Sequence, residues 1–158
     1  EFDCVGVFAP FTLQALERPG SHVVFDSADF PGTIPDHIVL SREFVEERPD
    51  DVQKLVEAWY RTLDYIEANP DESIEIMAAV AEVTTEEYQE FAAGTTIFGV
   101  DEALAAFEDS DEPTSLLRTA RLINPFLVES GLAEQEAPLD GLFDASFTQA
   151  YAEDSGGS

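Results

Sequence analysis

Positive charge is in short supply in this sequence: seven Lys and Arg stand against 34 Asp and Glu in 158 residues, a formal charge of −27 at pH 7. A field of that sign excludes nucleic acid and an anionic membrane surface as partners. Cysteine occurs once, at Cys4, so no internal disulfide can form; beside Val5, Gly6, Val7 and Phe8 it reads as a small buried hydrophobe. One Cys and two His, His22 and His37, are too few for a zinc cage, and neither His lies near a Ser or Cys pattern that it would serve as base. There is no phosphate-binding P-loop and no Gly-rich dinucleotide turn, so an enzyme is not expected and no cofactor is implied. No apolar run reaches the length of a membrane span. The opening residues Glu1, Phe2 and Asp3 carry neither a basic region nor a signal-peptide core, so any export signal is expected to lie outside this sequence.

The carboxylates are scattered along the chain. A block would read as a disordered tail, whereas dispersal reads as a folded surface coated with like charge. Such a coat repels itself at low ionic strength and is relieved when salt shortens the screening length to about 3 Å at 1 M. Salt adaptation, a halophilic character, is the expectation, with an ordinary acidic protein as the alternative. The run Asp109, Ser110, Asp111, Glu112 offers oxygen ligands but lacks the central Gly and terminal Glu of a calcium loop, so no metal site is assigned.

What the sequence has in quantity is helical period. Between Ser41 and Ala79, apolar side chains fall at Val52, Leu55, Val56, Trp59, Leu63 and Ile66, with Asp51, Lys54, Glu57, Arg61, Asp64 and Glu67 between them. This spacing predicts an amphipathic helix of about 18 residues whose core face includes Trp59. Ser41 caps a short helix ahead of it, with Phe44 and Val45 inward; Pro49 separates the two, and Asn69-Pro70 ends the long one. The next helix carries Ile74, Met77, Ala78 and Ala81 inward. Thr84 and Glu87 have the spacing of a capping box, and Ala93-Gly94 closes the helix that follows. Residues 95–99 read as strand or packed linker. Asp101 is expected to cap a short helix to about Phe107, and 108–113 form an acidic loop. A helix over 114–130 is expected to kink or break at Pro125, and helical pieces carrying Leu142, Phe143 and Phe147 follow from Leu139 to about Ala152.

The first forty residues read differently. Asp3–Phe8, His22–Asp26 and His37–Leu40 have strand composition, and Pro10 opens a helix over Thr12–Arg18 with Leu13 and Leu16 inward, stopped by Pro19-Gly20. Strand, helix, strand predicts an α/β layer. In such a layer the turn Phe8, Ala9, Pro10, Phe11 joins a strand's carboxyl end to a helix N-terminus, the place where open α/β sheets bind ligands and where free N–H groups favour an anion. Two phenylalanines packed around a Pro-started helix are the alternative there. Residues 27–36, SADFPGTIPD, form a loop in which Ser27 and Asp29 are further candidates for facing a cleft, or belong to an ordinary surface loop.

A short helix ending at Pro, a long Trp-bearing helix, an Asn-Pro-Asp-Glu break and an Ile-Met-Ala helix, taken in this order, resemble the second half of the substrate-binding proteins of ABC importers. The similarity is to the nitrate, taurine and aliphatic-sulfonate branch and its thiamine-precursor relatives, and it spans Asp3 to about Ala152. It implies an α/β fold, the C-terminal portion of a type II periplasmic-binding-protein fold, helix-rich with a few short strands. It further implies that 1–32 belong to a second lobe and its return hinge, that 33–152 return to the first lobe, and that 153–158 are a flexible tail or linker. The family's first half has no counterpart here, so the sequence is expected to be a fragment supplying one wall of the cleft. Cys4 then lies inside a strand and is not a lipid attachment site. The turn Phe8–Phe11 resembles the family's aromatic, acidic, Pro, aromatic turn, with Ala9 in place of the acid, a change that suits an anionic or apolar ligand. Phe30-Pro31-Gly32 resembles the family's Pro-Gly turn. The implied partners are a small-molecule anion or heterocycle and an ABC permease, with no membrane insertion, and the implied location is periplasmic or extracellular. A non-transport helical sensor or interaction module on the same scaffold is the alternative, and an enzyme like the precursor relatives would need a catalytic His in the cleft.

Overall fold

The computed structural model describes residues 3–8, 11–30 and 32–155. Among them there is no strand; the elements are α1 (Phe11–Leu16), a single 3-10 turn (Ser27–Asp29), α2 (Arg42–Glu47), α3 (Pro49–Ala68), α4 (Pro70–Ala81), α5 (Thr85–Ala93), α6 (Val100–Phe107), α7 (Leu116–Glu129) and α8 (Ser146–Ser155). The expected α/β periplasmic-binding-protein fold is therefore corrected to an all-helical one. Asp3–Phe8, His22–Asp26 and His37–Leu40 do not pair into a sheet, and Val5, Val7, Val23, Val24, Ile38 and Val39 stay exposed. An extended segment needs a neighbour for each backbone donor and acceptor. The end of the second segment closes on itself instead, with the Ala28 N–H donating to Asp26 Oδ1 at 2.9 Å and the Asp29 N–H to the Asp26 carbonyl at 3.2 Å. Cys4, expected to be buried in the first of these strands, is exposed.

The chain divides into two compact units, Glu1–Asp29 with Pro70–Thr96, and Phe30–Asn69 with Ile97–Ser158. In the first, α4 and α5 pack together. Pro70 takes the first helical position of α4 and Asp71 and Glu72 follow at its positive end. The Thr84 hydroxyl accepts from the Glu87 N–H while the Glu87 carboxylate accepts from the Thr84 N–H, which is the predicted capping box of α5. Across the pair, the Tyr88 hydroxyl donates to Met77 Sδ at 3.3 Å and Ala78 is buried. The helix α1 is shorter than expected, and Leu13 and Leu16 are exposed rather than inward.

In the second unit Ser41 caps α2 by accepting from the Phe44 N–H at 3.2 Å, and Arg48 lies over the Phe44 ring at 5.1 Å. Pro49 then starts α3, where Asp51 pairs with both Arg48 and Lys54. The 20-residue α3 is the predicted amphipathic helix, but it turns a different edge of its stripe inward. Val52 and Tyr60 are buried and Val56 and Leu63 half-buried, whereas Leu55 and Trp59 are 42 and 41 % exposed. Tyr60 wins the inner position because α8 supplies both things its side chain needs. Its ring stacks on Tyr151 at 4.9 Å and 20°, and its hydroxyl lies 3.2 Å from Thr148 Oγ1. Gln53 adds a bond from its side-chain amide to the Phe147 carbonyl at 3.3 Å.

The helix α6 packs on α7 and α8. It starts two positions earlier than expected, at Val100 with Gly99 as its cap and Asp101 inside the first turn. Ser115, fully buried, caps α7 from the Arg118 N–H and donates to the Glu108 carbonyl at 2.9 Å. Pro125 removes one backbone donor, and of the kink or break expected there the break is absent, since α7 runs through to Glu129. Next to it the buried Asn124 side chain bonds both backbone groups of Ala137, at 2.9 and 2.8 Å, and so pins the segment after the helix. Gly32 has φ +78°, and a Cβ there would meet the Pro113 carbonyl oxygen at 2.4 Å, so glycine is required by both conformation and space. The final helix reaches Ser155, inside the stretch 153–158 expected to be a tail.

Candidate functional site

Four of the six predicted contact residues fall among the described residues; Ala9 and Pro10 lie outside them. Phe8 and Phe11 are brought together by the first turn of α1, where the Thr12 N–H donates to the Phe8 carbonyl at 3.3 Å. Their rings meet edge to face, 5.8 Å between centroids and 83° between planes. Phe8 is 75 % and Phe11 50 % exposed, so the pair is presented to solvent and not packed away. Ser27 and Asp29 form a separate turn, exposed like the rings, in which Asp29 Oδ2 accepts from the Asp26 N–H at 3.2 Å. That bond commits one carboxylate oxygen of Asp29 to holding its own loop.

Among the described residues, two shallow surface depressions lie on the second unit. One is lined by Glu57, Arg61, Tyr151, Asp154 and Ser155, the other by Ala58, Arg61, Thr62 and Tyr65, and both are open to solvent. Neither contains a predicted contact residue. Arg61 is common to the two, and Tyr151 stacks on Tyr60.

The perturbed carboxyls serve the fold. Asp51 is held below its usual range by its hydrogen bond to Arg48 and by that guanidinium's charge, and Asp109 by its hydrogen bond to Arg121, a two-point pair at 2.6 and 2.7 Å. Arg121 is raised in return, first by the hydrogen bond to Asp109. Asp109, the first oxygen donor of the acidic loop, is thus engaged by a guanidinium. Among the described residues no three His, Cys, Asp or Glu side chains converge on a point that would hold a metal ion, and no helix is long and apolar enough to cross a membrane. His37 lies against the Phe143 ring at 5.7 Å. No protein family, curated protein or solved structure matches this chain.

Proposed function

We propose that this chain is the solute-recognising component of an ABC uptake system and that it contacts a small anion bearing an apolar portion, of the sulfonate or taurine kind. The observation that carries this reading is the Phe8–Phe11 pair. Two aromatic rings held edge to face at a turn, yet left 75 and 50 % exposed, offer apolar surface that a ligand's hydrocarbon part would cover. The order of helices from Ser41 to Ala79 supports the same reading through its resemblance to such proteins; the α/β fold is no part of it. A permease as the receiving partner and a location outside the cytoplasm follow from the reading.

An anion approaching a chain of charge −27 is opposed by the long-range field, so its affinity should increase with ionic strength. The test is a calorimetric series in high salt: nitrate, taurine, then alkyl sulfonates of increasing length, titrated into the chain. Each methylene covered should add up to about 0.8 kcal/mol, roughly fourfold in affinity. Phe8→Ala and Phe11→Ala should flatten that slope. Absence of binding to every one of these ligands would overturn the uptake reading and leave the helical sensor or interaction module.

A further inference from the structure

We draw no further inference here: the strongest candidate, the exposed stripe of Leu55, Ala58, Trp59 and Thr62 on α3, is a mostly apolar helix face, and nothing in the structure shows what covers it.

Discussion

The segments before Ser41 and the helices after it treat the same kinds of residue differently. Among the described residues no side chain before Ser41 is buried, whereas Val52, Tyr60, Ala106 and Leu116 are buried after it, although Val80, Leu122 and Phe126 stay exposed even on helices. The difference begins in the backbone. A helix satisfies its own donors and acceptors internally, so only its side-chain face needs a partner. An extended segment brings unpaired groups at every residue and must find a neighbouring strand before its valines can be covered. Caps and helix-starting prolines are therefore enough to form α2 to α5, while strand composition alone forms no strand among the described residues.

Core truncations test this contrast most severely. Tyr60→Ala removes a buried ring stacked on Tyr151 and a hydroxyl bonded to Thr148, and should cost about 3–5 kcal/mol, as large aromatic truncations do. Trp59→Ala, one position along, should cost no more than about 1 kcal/mol, because that side chain is 41 % exposed. Val39→Ala, at a side chain 83 % exposed in an expected strand, should stay within about 0.5 kcal/mol. Urea titrations of the three variants decide the matter. A Trp59 cost equal to that of Tyr60 would show that α3 buries the other edge of its stripe.

Gly32 sharpens the comparison at the boundary between the two regions. The Thr33 N–H donates to the Phe30 carbonyl at 3.1 Å, closing a turn that needs the left-handed conformation at Gly32, and Thr119 reaches the Gly32 carbonyl at 3.4 Å. Gly32→Ala brings both a strained φ and a clash with the Pro113 backbone, and should destabilise by about 2–3 kcal/mol. A neutral result in the same titration would mean that the turn does not hold the loop against Pro113.

Much of the helical frame was legible in the sequence because its signals are local. Ser41, Pro49, Asn69-Pro70, and Thr84 with Glu87 each act within a few residues, and each sits where the spacing predicts. The face that α3 buries was not legible. Trp59 and Tyr60 are adjacent, both are large, and the choice between them rests on Thr148 and Tyr151, some 90 positions away in a segment whose own helix is weakly marked. Gly32 was legible as a turn, but its clash with Pro113 is a long-range fact. Of the candidate site, the proximity of Phe8 and Phe11 followed from their three-residue spacing, and their exposure did not.

Salt acts on both regions through the same carboxylate coat, with a smaller expected effect. Screening relieves repulsion more in the compact chain than in the expanded one, so the melting temperature should rise between low salt and about 1–2 M KCl. A gain of about 1 kcal/mol would appear as a shift of about 2–4 °C. A flat or falling melting temperature over that range would reject salt adaptation.

The smallest effect is at the α5 cap, where charge and local geometry are separable. Glu87 has its pKa lowered, chiefly by the hydrogen bond from the Thr84 backbone at 2.8 Å and then by the one from the Thr84 hydroxyl at 3.0 Å. A carboxyl whose folded pKa lies below its unfolded value binds fewer protons when folded. Its contribution to stability is complete above the unfolded pKa and is lost as pH falls through the folded one. Acidification also neutralises the rest of the coat, and that relief of repulsion stabilises the fold, so the stability of the unmodified chain mixes two opposing trends. Glu87→Gln separates them, since glutamine keeps an oxygen for the Thr84 N–H and removes only the charge. At pH 7 the variant should be slightly the less stable of the two, and the gap should close as pH falls from about 6 to about 3. Urea titrations of both proteins across that range measure it. No gap at pH 7 would show that the cap depends on the shape of the Glu87 side chain and not on its charge.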